Sequence, residues 1–99
     1  MIRILNNTEI RLIDFGCVVF EDGHHSRAVT TARPFRAPEM VLETGWSYPC
    51  DIWSIGCNLA ILFAGRELFP TRNDDDIEHL AIMEVVLGKI PDQLVQASR

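Results

Sequence analysis

A chain of 99 residues, 47% hydrophobic and 23% charged, has room for one globular domain at most. Its net charge of -5 and its single Lys, Lys89, exclude a direct nucleic-acid binder, because neutralising phosphates takes clustered Lys and Arg. No apolar run reaches the ~20 residues of a membrane-spanning helix, and Asn6 and Asn7 arrive too early for the apolar core of a signal peptide. An intracellular protein of the nucleus or cytoplasm, without a membrane partner, is expected.

Two short apolar runs, residues 2–5 and 10–13, flank Asn6-Asn7-Thr8-Glu9. That turn chemistry predicts a β-hairpin. The second run alternates as a strand does and delivers Asp14 at its end, ahead of Phe15 and the flexible Gly16, a suitable place for a carboxylate to hold a cation. Residues 17–36 lack periodicity and predict a long loop, a kind of segment that in compact domains is functional or disordered. Pro38 sits in the first turn of a short helix that Thr44-Gly45 ends.

Residues 49–64 form the most informative predicted helix, apolar nearly all the way round and closed by Gly65. Its length and its Asp51, Ser54 and Asn58 argue against a membrane span, so burial in a large core is expected. A chain this short buries only about 60–65% of its surface and cannot easily surround such a helix. The sequence therefore reads as a piece of a larger domain. Asp74-Asp75-Asp76 gives an acidic start to a further helix at 75–88, where Asp75 and Glu78 approximate a capping box and Ile77, Leu80, Ala81, Met83 and Leu87 supply an apolar stripe. Gly88 and Pro91 end it, and another helix begins beyond Pro91. The fold class is mainly α with a short β-hairpin. Cys17, Cys50 and Cys57 form no CxxC pair, and 50 and 57 on one helix lie roughly 10 Å apart, too far for a disulfide. All three are expected as buried free thiols. His24, His25 and His79 lack metal-ligand spacing.

Several strings stand in an order that resembles the large lobe of a protein kinase. They are Asp14-Phe15-Gly16, Phe35-Arg36-Ala37-Pro38-Glu39, Gly45-Trp46-Ser47, Asp51-Ile52-Trp53-Ser54-Ile55-Gly56-Cys57, and residues 78–88, EHLAIMEVVLG. The last is similar to the EHLAMMERILG signature of LAMMER (Clk-type, dual-specificity) kinases of the CMGC group, departing only at Ile82, Val85 and Val86. His24-His25-Ser26 is also similar to that family.

The resemblance implies a partial C-terminal (large) lobe of the α+β kinase fold, with an activation segment at 14–39. Asp14, in the triad with Phe15 and Gly16, would bind the Mg²⁺ that bridges the ATP phosphates. Ala32, Arg33, Phe35 and Arg36 would belong to the substrate-facing loop, and Glu39, Asp51 and Trp53 to its scaffold. Ser26, Thr30 and Thr31 would be candidate phosphosites facing Arg27 and Arg33, since a phosphate gains charge-assisted bonds to Arg. The complete domain would transfer the ATP γ-phosphoryl to Ser, Thr or Tyr of proteins, with Arg-Ser-rich splicing factors as implied partners.

Phosphoryl transfer also needs a Gly-rich lid, a Lys on the phosphates, a catalytic Asp and a metal-binding Asn. None is recognised before Asp14, so the segment alone is expected to be inactive. Ala32 stands where these kinases usually carry a Thr that bonds the catalytic Asp and Lys, and Pro34 alters the neighbouring loop. The alternative reading is a non-catalytic, pseudokinase-like interaction module or a truncated gene product.

Overall fold

Proline and glycine punctuate the helices of this chain. The computed structural model describes residues 3–25 and 31–98. Two 3-10 turns, Phe15–Cys17 and Arg33–Phe35, precede four helices: α1 (Pro38–Val41), α2 (Pro49–Ala64), α3 (Asp76–Leu87) and α4 (Asp92–Ala97). Pro38 and Pro49 occupy the first turns of α1 and α2, where a missing N–H costs nothing. Gly65 closes α2 at φ 71°, a left-handed cap that glycine adopts without strain.

Asp75 caps α3 from extended backbone, its Oδ1 accepting from the N–H groups of Ile77 (2.9 Å) and Glu78 (3.3 Å). The reciprocal arm of the expected capping box is not made. The Glu78 carboxylate instead accepts from the backbone N–H of Arg72 at 3.4 Å.

α1, α2 and α3 meet around two adjoining apolar clusters. Val41, Cys57, Phe69 and Met83 form one, with Phe35, Leu80 and Ile82 packed against it, and Ala37, Met40 and Cys50 form the other. Trp53 touches both, so one side chain joins the halves of the core. Cys50, Trp53, Ser54, Cys57 and Ile61 share the inward stripe of α2, at the spacing a helix dictates.

Three expectations meet the structure at this point. No strand forms among the described residues, so the hairpin is not confirmed. The turn itself exists in local form, the Asn7 side chain accepting from the N–H of Glu9 at 2.8 Å. Ile4, Leu5, Ile10, Leu12 and Ile13 remain exposed, and a two-stranded ribbon with no third layer to pack on is marginal. Second, α2 is not enclosed, in keeping with a chain too short to surround it: Ile52, Leu59, Leu62 and Phe63 face solvent, Phe63 at 97% exposure. The radius of gyration, 15.3 Å against about 13 Å for a compact chain of this length, agrees with an open core. Third, Cys17 is exposed, because nothing packs over the turn that carries it, whereas Cys50 and Cys57 are buried. Burial pushes both of those thiols up, which keeps them protonated and inert.

Candidate functional site

Asp14 departs from ordinary backbone geometry. It sits at φ 62° and ψ 71°, in the left-handed region, immediately before the turn Phe15–Cys17. A non-glycine residue there stores strain, and Asp is among the few that tolerate it. Its carboxylate is exposed, as are Phe15 and Gly16. No group of three His, Cys, Asp or Glu side chains converges among the described residues. One hard oxygen donor in an exposed, strained position fits Mg²⁺, which is commonly held by one or two carboxylates together with nucleotide phosphates. Asp14 thus fits as one ligand of such a site and not as the whole of it.

The second part of the site is the loop that ends in α1. Its turn, Arg33–Phe35, is fastened to α2 through Ser54, whose Oγ lies 2.8 Å from the Phe35 carbonyl and 3.1 Å from that of Cys50. Arg36 folds back on the loop, its guanidinium donating to the Thr31 carbonyl from Nε (3.3 Å) and Nη2 (3.0 Å). Ala32 is exposed and Phe35 packs against the Val41 cluster. Glu39 follows Pro38 in the first turn of α1, and its carbonyl accepts from the backbone N–H (3.0 Å) and the hydroxyl of Thr44. Asp51 stands in the first turn of α2, where a negative charge suits the helix dipole. Trp53 stacks on Phe69 with ring centroids 5.3 Å apart.

Arg33, expected to face the candidate phosphosites, pairs with carboxylates at the start of α3. Its guanidinium bonds Asp74 through Nε and Asp76 through Nη2 at 2.8 Å, and its Nη1 lies 3.4 Å from His79 Nδ1. Burial works against the Arg33 charge, but the bonds to Asp76 and Asp74 outweigh it and raise the pKa. Ser26, Arg27 and Thr30 lie outside the described residues. Of the three candidate phosphosites only Thr31 is described, half-buried and engaged through its carbonyl with Arg36.

Sequence reasoning missed two histidines. His25 stacks on Trp46 at 4.7 Å, and its ring nitrogens lie 3.2 Å from the Trp46 carbonyl and 3.3 Å from that of Phe20. No local signal reveals that contact. His79 is fully buried beside Phe69, and its place four residues before Met83 on α3 was a signal, since that spacing puts both on one face.

Burial, and then the charges of Arg33 and Arg36, hold the His79 pKa below its usual 6.5, with Asp76 opposing. The unfolded chain takes up a proton near pH 6.5 that the folded chain refuses, so stability is full above that pH and declines as pH falls through it. The urea midpoint is expected to drop between pH 7 and pH 5.5, and His79→Gln to flatten the drop. Equal slopes in the two proteins would remove His79 as the cause.

A strained Asp-Phe-Gly turn, a loop fastened by an Arg, and an Ala-Pro-Glu helix seated on a Trp-bearing apolar helix define a segment of a kinase large lobe. The chain belongs to the protein kinase domain family, which it matches over residues 1–98. Its relatives place it with the LAMMER (Clk-type) dual-specificity kinases. It is 53% identical over 96 residues to dual specificity protein kinase lkh1 of Schizosaccharomyces pombe, covering 97% of this chain and 14% of that protein. Over 97 residues it is 50% identical to dual specificity protein kinase CLK4 of Homo sapiens, covering 98% and 20%. A crystal structure of a kinase domain superposes with a TM-score of 0.79 at 41% identity, covering 88% of this chain and 25% of that one. The chain spans 11–20% of the length of the curated relatives it matches.

Proposed function

We propose that this chain supplies the metal-binding triad, the activation segment and the substrate-facing loop of a LAMMER-type kinase, whose complete form transfers the ATP γ-phosphoryl to Ser, Thr or Tyr of proteins. The observation that carries this reading is the left-handed Asp14 standing in one chain with a loop pinned by Ser54 and Arg36. Charge neutralisation at the nucleotide phosphates is the chemistry that Mg²⁺ would supply. Asp14 would hold it by one carboxylate oxygen. Residues 31–36 would orient the protein substrate, with Phe35 and Arg36 fixing the height of the loop above α2, and Glu39, Asp51 and Trp53 would hold that scaffold. Arg-Ser-rich splicing factors are the substrates that the family suggests, and Ser26, Thr30 and Thr31 its candidate phosphosites.

A chimera tests this directly. Residues 1–98 replace the matched stretch of dual specificity protein kinase CLK4, and transfer from ATP to a basic Ser-rich peptide is measured. Transfer is expected from the chimera and not from the 99-residue chain alone. An inactive but folded chimera would sink the catalytic reading and leave the second one, a non-catalytic interaction module. The exposed apolar face of α2 and the Ala32 that replaces the usual Thr favour that alternative.

A further inference from the structure

Three consecutive aspartates precede and begin α3, and the structure divides them. Asp75 is the cap, extended at φ -118° and ψ 115°. Its neighbours lie one residue to either side, and side chains at i and i+2 across extended backbone point the same way. Asp74 and Asp76 accordingly both reach Arg33, more than 40 residues earlier in the chain, in the turn of the substrate-facing loop.

Most ion pairs at a protein surface contribute little, because both partners remain solvated and mobile. This one differs at the cationic end. The Arg33 side chain is only 13% exposed, while Asp74 and Asp76 are 85% and 57% exposed. A guanidinium held among His79 and two carboxylates makes charge-assisted bonds through separate nitrogens, a geometry that Lys cannot reproduce. Arg33 also opens the 3-10 turn, and its own carbonyl accepts from the N–H of Arg36 at 3.1 Å. Fixing its side chain on α3 therefore fixes the turn.

We propose that Asp74 and Asp76 are positioning residues for the substrate-facing loop, acting through Arg33 to seat residues 32–36 against the N-terminal end of α3. This rests on the kinase reading only for the meaning of the loop. The contact itself is independent of it.

The test has two arms. In the 99-residue chain, amide hydrogen exchange is followed at Phe35 and Arg36, whose N–H groups bond the carbonyls of Ala32 (3.0 Å) and Arg33 (3.1 Å). Asp74→Asn with Asp76→Asn is expected to speed exchange at these two amides about tenfold and leave the middle of α2 unchanged. Arg33→Lys should behave like the double variant, and the exchanged pair Arg33→Asp with Asp76→Arg should restore protection in part. Unchanged exchange in the double variant, or full protection in Arg33→Lys, would overturn the proposal. A uniform rise across α2 would do so as well, because it would show general loosening rather than positioning. In the CLK4 chimera the same double variant is expected to raise KM for the peptide about tenfold with KM for ATP unchanged. An inactive chimera counts against the catalytic reading alone, and the exchange result still decides the clamp.

Discussion

Phe69→Ala is expected to destabilise the chain by about 3–5 kcal/mol, the usual cost of emptying a fully buried aromatic site. Phe69 is 1% exposed, stacks on Trp53 and lies against His79, so its ring touches the residue that joins both halves of the core. Small domains have about 5–15 kcal/mol of stability in all, and a chain with one face of α2 uncovered stands low in that range. Loss of this ring is expected to leave most of the population unfolded at 37 °C. The measurement is a urea titration followed by Trp46 and Trp53 fluorescence. Phe63→Ala is the control: at 97% exposure it should shift the midpoint by less than about 0.5 kcal/mol. Equal effects from the two variants would mean that the Phe69 cluster is not the core.

The second large effect concerns chemistry. In the CLK4 chimera, Asp14→Asn is expected to lower kcat by about 10²–10³, since an amide oxygen offers the cation no charge where the developing negative charge must be balanced. KM for the peptide should change little, because Asp14 lies outside residues 31–36, the stretch proposed to meet it. Asp22→Asn, an exposed loop carboxylate of the same segment, should leave kcat unchanged. Activity retained within twofold in Asp14→Asn would remove it from the metal site.

How much of this was legible in the sequence depended on the range of the interaction. Helix ends were: Pro49, Gly65, Asp75 and Gly88 act within a turn of themselves, and the structure places caps or first turns at each. The apolar helix at 49–64 was also visible, as was the difficulty of enclosing it, but which of its side chains are covered was not. Periodicity reports which side chains prefer to leave water, and only other segments decide which of them can. The same limit explains the hairpin, whose turn formed in local contact while its strands found no partner. Asp14 was singled out by its motif, but its left-handed backbone was not readable. The Arg33 pairing was not readable at all, because no local rule links residue 33 to residues 74 and 76. His79 lies between these cases: its helical register announced a core position, and its polarity drew attention away from it.

The division of labour in Asp74-Asp75-Asp76 places a constraint on length that charge alone would not. Deleting one aspartate leaves the segment acidic, and a cap can re-form from whichever carboxylate now precedes α3. Only one neighbour then remains on the Arg33 side, and the loop loses half its hold. Substitutions that conserve charge are therefore milder here than a change in spacing. In this stretch the count of residues is itself part of the structure.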